Sequence, residues 1–551
     1  MRAYQRLREL LTAILDSKGL SWPDKATIEP PKDKKFGDMA CNLAMLAAPK
    51  LGVKPRDLAL EIRQALLAAE PSLSSVEVAG PGFLNVTFAP AFWQDTVRQV
   101  LAAGPSYGRF NLGQGRKVMV EFVSANPTGP LHIGHGRGAA VGDSLARLLS
   151  AMGYDVSTEY YINDAGRQMR LLGQSVWVRY LEALGRPVEY PEDWYKGEYI
   201  TDLAKELIAA KGQSLLELEP QEAQDTCYRY GMQAILDGIK KDLADFRVSH
   251  QVWFSEKSLV AAGTVEKTLE DLKARGWAYE KDGALWMATT RAGDDKDRVL
   301  RKSTGELTYF ASDIAYHADK FARGFEVLVD IWGADHHGYV PRMKAAMTAL
   351  SRDPDNLKVI LVQLVNLLRG GEQVAMSTRA GQFETLADVC AEVGVDSARF
   401  MFLSRKSDSH LDFDLELVKE QSMENPVYYV QYAHARIRSL FAKAGERGHD
   451  LPPVDPELLA RLDTPEDLEL MRLMDQFPDT LAAAAQAMAP HAVSFYLRDL
   501  AGLAHRYYTT HPVLGASDAG LTKARMLLLA SVAELITGGL ELLGVSAPTK
   551  M

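Results

Sequence analysis

Two stretches, residues 325–332 and 357–362, are nearly unbroken runs of apolar residues separated by a helical pattern. A strand that is apolar on both faces must be covered on both. A parallel sheet wrapped by helices meets that demand, and an antiparallel sheet with one wet face does not. Residues 118–123 and 155–162 read as two further strands, joined by a loop at 124–134 and a helix at 135–152. This strand–helix–strand order is that of a crossover unit. The core is therefore expected to be α/β, a Rossmann-type parallel sheet.

Around that core the pattern changes twice. Residues 1–112 mix helical stretches with short alternating strands at 76–78 and 83–88 around Gly80-Pro81-Gly82, and read as an α+β domain. Residues 113–360 form the Rossmann domain, with a charged, largely helical insertion at about 165–300. Residues 361–414 form a connecting region. From 415 to 551 the periodicity is helical, with helices expected at 428–444, 465–489, 492–509 and 521–543, so this part reads as an all-α bundle.

Hydrophobic residues make up 47% and charged residues 24%, which excludes a disordered chain. The net charge of -10 excludes a bulk basic field, so any nucleic acid must be met by local cations and aromatics. Cys41, Cys227 and Cys390 lie far apart, which rules out a disulfide framework and the usual zinc spacings and fits a reducing compartment. The most apolar helix contains Glu534 and Glu541, so it suits a bundle core better than a membrane. The expectation is a cytoplasmic protein with no membrane partner.

Residues 120–137 carry the most chemistry. A strand ends at a loop with two prolines, and a helix then starts with His132-Ile133-Gly134-His135. With 12 histidines and 42 glycines in 551 residues, a chance His-x-Gly-His is expected about 0.02 times. Helix N-termini attract phosphate, and two histidines there can donate to its oxygens. The bland alternative is that they only cap the helix.

This stretch resembles the ATP-binding motif of the class I aminoacyl-tRNA synthetases. The whole chain is similar to the bacterial arginyl-tRNA synthetases, through Phe36-Gly37-Asp38, the segment from Tyr309 to Tyr316, Trp332-Gly333-Ala334-Asp335-His336-His337, the segment from Ser407 to Asp414, and the segment from Tyr429 to Arg436. The resemblance implies an ATP-dependent ligase. The carboxylate of L-arginine would attack the α-phosphate of ATP, giving arginyl-adenylate and pyrophosphate. Arginine would then pass to the 3′-terminal adenosine of tRNA(Arg). It implies ATP with substrate-borne Mg2+, no protein-bound zinc, no DNA partner, and a monomer. It also implies an N-terminal domain on the D-loop side of tRNA and an anticodon-binding bundle.

Carried residue by residue, the resemblance assigns ATP to His132, Gly134, His135, His336, Met376 and Ser377. It assigns arginine to Glu121, Asn126, Glu256, Tyr309, Asp313 and Asp335, and tRNA to Phe83, Asn85, Tyr432, Arg436, Tyr507 and Met551. Tyr309 and Asp313, four apart, would share a helix face. His336 and His337 sit in what reads as a strand, pointing apart. One departure stands out: the family's Lys-Met-Ser-Lys loop reads Ala375-Met376-Ser377-Thr378 here. Some members carry a lysine just before the His-x-Gly-His loop instead, where this chain has Thr128 and Gly129. Arg379 is expected to replace the lysines in part, beside catalytic His132 and His135. Arg137 is a second nearby cation. A cysteinyl enzyme is disfavoured by the missing zinc cysteines. A non-catalytic tRNA-binding paralogue draws support only from the missing lysines.

Overall fold

The computed structural model describes residues 2–374, 384–515 and 518–551. The N-terminal region comprises α1 (Arg2–Asp16), β1 (Ile28–Glu29), β2 (Met39–Cys41), α2 (Leu43–Leu51), α3 (Pro55–Ala69), β3 (Leu73–Ala79), β4 (Phe83–Phe88) and α4 (Pro90–Ala103). Its antiparallel sheet has the order β1-β2-β4-β3. Helix α1 buries Ala3, Leu7, Leu11 and Leu15, a stripe with spacing four that its sequence dictates.

The central sheet is built from β5 (Lys117–Glu121), β6 (Asp155–Ile162), β7 (Val252–Ser255), β11 (Val327–Gly333) and β12 (Leu357–Val362). Its order is β12-β11-β5-β6-β7, and every pairing is parallel. Between its strands run α5 (Ile133–Ala151), α6 (Arg167–Ala183), α7 (Glu198–Lys211), α8 (Pro220–Asp245), α9 (Glu256–Ala261), α10 (Thr264–Ala274), α11 (Tyr309–Ala322) and α12 (Val340–Ala349). The chain leaves β5 for β6 on one side and later returns to β11 on the other. The crevice over the carboxyl ends of β5 and β11 is thus the switch point where such sheets bind ligands.

The largely helical reading of 165–300 holds for α6 to α10, but the stretch also contains strands it did not include. Strand β7 joins the central sheet, and β8 (Ala278–Lys281), β9 (Ala284–Met287) and β10 (Arg298–Arg301) form a separate antiparallel sheet. These strands have four residues each, β8 is exposed at three of them, and the apolar run Ala284–Met287 of β9 is too short to tell a strand from a helix by pattern.

Beyond β12 lie β13 (Val365–Arg369), β14 (Glu372–Gln373), α13 (Leu386–Val393), α14 (Val395–Phe402), β15 (Leu411–Asp414) and α15 (Leu415–Lys419). The chain ends in α16 (Pro426–Glu446), α17 (Pro456–Leu459), α18 (Pro465–Asp475), α19 (Phe477–Gln486), α20 (His491–Thr510) and α21 (Ala519–Leu542). Helix α21 is apolar on most sides and lies inside the bundle, with Leu528, Val532 and Ile536 fully buried. No helix among the described residues is long and apolar enough to cross a membrane. The bundle is tied to the N-terminal region by Arg472–Asp38 at 2.6 Å, just before β2, and by Arg2 of α1 to Asp475 at 2.7 Å. Phe36-Gly37-Asp38 therefore serves an interdomain clasp: Asp38 also accepts from the Phe88 amide.

Candidate active site

The loop between β5 and α5 is braced from within. The Gly134 amide donates to His132 Nδ1 at 3.1 Å, and the His132 amide donates to His135 Nδ1 at 3.3 Å. The two rings stack with centroids 3.7 Å apart. The capping alternative thus describes part of the arrangement. With both Nδ1 atoms accepting within the cap, each neutral ring carries its proton on Nε2. Burial keeps both rings neutral: it lowers His132 and drives His135 down to about 3, with the His132 charge adding to the effect. They can donate to phosphate without titrating in the physiological range.

The loop is also gripped from outside. The Tyr199 hydroxyl donates to the Thr128 carbonyl at 2.7 Å, and the Leu386 amide donates to Leu131 O at 2.8 Å. A Cβ on Gly129 would lie 3.1 Å from Tyr199 Oη, so the insertion packs closely against this point of the loop. Arg137 is fully buried, donating to the Gln363, Lys406 and Ser409 carbonyls at 2.8–2.9 Å. It anchors the Ser407–His410 segment and does not face a nucleotide, so it cannot supply the missing lysine charge. Ala375, Met376, Ser377, Thr378 and Arg379 lie outside the described residues.

Beside this loop, at the switch point, is a cavity of about 250 Å³ bounded by Glu121, Tyr161, Asp313, Asp330, His336 and Tyr339. Its floor follows from strand register. Asp330 pairs with Glu121 across β11 and β5, and Glu121 pairs with Glu159 across β5 and β6, so three carboxylates stand in one row. Like charges side by side require cations, and α11 brings them. Lys320 Nζ donates to Glu121 at 2.5 Å and Asp330 at 3.0 Å, and His317 Nε2 meets Asp330 at 2.8 Å. Arg323 and the Tyr316 hydroxyl hold Glu159, each at 2.6 Å. Burial alone would raise Asp330, but Lys320 and His317 hold it well below the usual carboxylate range.

The other side of the cavity is different. Asp313 and Glu256 have no cationic partner among the described residues. Asp313 accepts from the Tyr339 hydroxyl, and its carboxyl is raised by burial and by Glu121 and Asp330. Glu256 is 7% exposed and meets only the Tyr161 and Ser312 hydroxyls and, with its amide suitably turned, Asn163 at 3.0 Å. Burial, then Asp313 and Asp164, push Glu256 up to about 7. A half-buried acid and a buried one, Asp313 and Glu256, with only neutral donors can serve as a receptor for a cation. The backbone above them is strained: Val123 and Ser124 adopt φ of +70° and +40°, which turns the Ser124 hydroxyl back to Glu121 at 2.9 Å.

Of the expected arginine residues, Glu121 and Asp313 line the cavity, and Glu256 stands behind it. Glu121 is already paired with Lys320. Tyr309 is 67% exposed, its hydroxyl end near Gly166, and Asn126 and Asp335 are exposed too. His336 lines the cavity, but the expected strand ends at Gly333: Ala334–Tyr339 is a 3-10 helix, so His336 and His337 do not alternate as strand neighbours. Sequence reasoning missed Lys320, Tyr161 and Tyr339.

Among the expected RNA contacts, Phe83 is 41% exposed and Asn85 only 8%. On the bundle, Tyr428 stacks on Tyr432 at 5.5 Å, Tyr432 stacks on His505 at 5.7 Å, and Arg436 covers Tyr508 at 3.9 Å. Met551 is 55% exposed. Tyr507 departs from expectation: it is 2% exposed, with its hydroxyl on Asp467 at 2.6 Å, and belongs to the core.

Three family models cover most of the chain: an arginyl tRNA synthetase N terminal domain at residues 5–88, a catalytic domain of class I (R) tRNA synthetases at 96–438, and a DALR anticodon binding domain at 430–551. The chain is 66% identical over 552 residues to an arginine–tRNA ligase of Solidesulfovibrio magneticus, and 63% identical over 552 residues to one of Nitratidesulfovibrio vulgaris, covering all of each chain. In fold it matches the arginyl-tRNA synthetase of Thermus thermophilus, with a TM-score of 0.75 at 23% identity over the full length of both chains.

Proposed function

The chain belongs to the arginyl-tRNA synthetases, ATP-dependent class I ligases, and on that premise we propose how its own residues divide the joining of L-arginine to tRNA. The observation that carries the proposal is the pair Asp313 and Glu256, one half-buried and one buried acid without a cation among the described residues, beside a helix N-terminus bearing two neutral histidines. A guanidinium presents a fork of N–H donors that suits two carboxylates, where an ammonium offers a single point. Asp313 and Glu256 hold that end, with Tyr309 as a cover at the rim. Glu121, Asn126 and Asp335 are assigned to the α-amino and carboxylate end.

His132 and His135 donate from Nε2 to phosphate oxygens, and Gly134 leaves room for the nucleotide against the α5 N-terminus. His336 and the Met376-Ser377 loop complete the ATP side. Attack of the arginine carboxylate on the α-phosphate yields arginyl-adenylate and pyrophosphate. A terminal hydroxyl of tRNA(Arg) then displaces AMP, and no covalent enzyme intermediate is required. Catalysis on this reading is positioning and charge stabilisation. Mg2+ arrives with ATP. Arg379 supplies the charge that the missing lysines would give as pyrophosphate leaves.

For tRNA, Phe83 and Asn85 face the D-loop, while Tyr432 and Arg436, within the stacked ladder on α16, offer a platform for anticodon bases, with Met551 nearby. Arg506 lines an adjoining groove of about 800 Å³ with Tyr429 and Phe495. The chain acts as a cytoplasmic monomer. ATP–pyrophosphate exchange with each amino acid, with and without total tRNA, tests the reading. Exchange with arginine alone is expected. Exchange with another amino acid would refute the pocket assignment, and none at all in folded protein would leave a tRNA-binding scaffold.

A further inference from the structure

We infer that Tyr339 is a specificity-determining positioning residue for arginine, because its hydroxyl donates to Asp313 and so holds that carboxylate ionised and oriented without supplying a positive charge. This rests on the assignment of Asp313 to the guanidinium.

A cation receptor must keep its acids charged without neutralising them. A buried carboxylate needs hydrogen bonds or an opposite charge. A lysine or arginine partner would neutralise it, and the guest cation would then have to displace the partner. A phenol supports the ionised form and leaves its full charge for the guest. The cavity uses both solutions in separate places: Glu121, Asp330 and Glu159 have Lys320, His317 and Arg323, while Asp313 has Tyr339.

Position supports the role. Tyr339 ends the 3-10 helix that follows β11 and lines the cavity. Its ring packs at 5.9 Å from Trp332 and 6.1 Å from Phe310, with the Arg342 guanidinium 4.8 Å over it. The hydroxyl is thus fixed by packing rather than by the guest. It engages Oδ2 of Asp313, leaving Oδ1 for a ligand. The charged and titratable groups facing Asp313 are Glu121 on β5, Tyr161 on β6, Glu256 at the start of α9, Asp330 on β11, and His317 on α11 itself, with Lys320 bridging two of them. The acids among these disfavour a second negative charge, so loss of the Tyr339 donor should leave Asp313 protonated to higher pH.

The test is Tyr339→Phe in the full-length protein, which keeps the packed ring. ATP–pyrophosphate exchange is followed in the presence of tRNA from pH 6.5 to 9. The KM for arginine should rise about 10-fold near neutral pH, as for a lost hydrogen bond to a charged group. The KM for ATP should hold, and the arginine gap should narrow as pH rises and Asp313 ionises unaided. An unchanged arginine KM at every pH would overturn the inference, and so would arginine and ATP KM values rising together without pH dependence. Asp313→Asn run alongside separates the two levels. If Asp313→Asn leaves arginine KM unchanged, the pocket assignment itself fails; if it abolishes arginine use while Tyr339→Phe is silent, only the role of Tyr339 fails.

Discussion

Helix α11 serves the cavity with two different halves. Its C-terminal half delivers His317, Lys320 and Arg323 to the row Asp330, Glu121 and Glu159, where every carboxylate meets a positive or ionisable partner within 3.0 Å. Its N-terminal half presents Asp313, which meets only a phenol, near Glu256, which meets only neutral donors. The first half is satisfied by the protein alone. The second is left short of one positive charge. The contrast separates the acids in and around this cavity that the protein satisfies itself from the two proposed to recognise arginine.

The largest effect should follow from Lys320→Met. It removes a fully buried ammonium and strands Glu121 and Asp330 side by side. Breaking a buried ion pair from one side costs about 3–5 kcal/mol. The variant should melt earlier and lose its half-life at moderate temperature, read by thermal unfolding and inactivation kinetics. Asp313→Asn should behave in the opposite way. It removes a half-buried acid that has no cation among the described residues, so stability should hold or rise slightly. Arginine binding should weaken by about 2–3 kcal/mol, or roughly 30- to 150-fold, the worth of a hydrogen bond to a charged group. If Asp313→Asn destabilised the protein as much as Lys320→Met, the two halves would not differ in kind.

Half of this contrast could be read in the chain. Residues 155–162 and 357–362 form strands with the expected bounds, and the apolar run at 325–332 is legible because β11 is buried over most of its length. Strand β7 was not: its four residues are all half-buried and only four long. Helix α5 starts two residues earlier than periodicity suggests because His132 caps it. In the site, Asp313 was visible through its spacing from Tyr309 and the family resemblance. Its hydroxyl donor lies 26 residues away, and Lys320 lies 199 residues from Glu121. Such partners are set by β-sheet register and helix docking, which no local pattern encodes. Tyr507 went the other way: an aromatic at helical spacing, it is a core residue with a satisfied hydroxyl.

The smallest effect is the sharpest probe of the recognition end, because it titrates. Glu256 is raised by burial, and next by Asp313 and Asp164, to about 7. Unfolded, such a group would release its proton near 4.3. Between these values the folded protein binds more protons than the unfolded chain, so this group makes stability fall as pH rises from about 4.3 to about 7. Arginine inverts the balance. Its guanidinium keeps its charge over this range and favours the ionised carboxylate, so binding below pH 7 must expel a proton. Affinity should climb up to about tenfold per pH unit as pH approaches 7 and then level off. Calorimetry of arginine binding in buffers of different ionisation enthalpy should show close to one proton released at pH 6 and little at pH 8. Glu256→Gln should flatten that dependence at a cost of a few-fold in affinity at pH 8. A pH-independent affinity in the unaltered protein would mean that Glu256 is already ionised without its guest, and that this end of the cavity is not short of a charge.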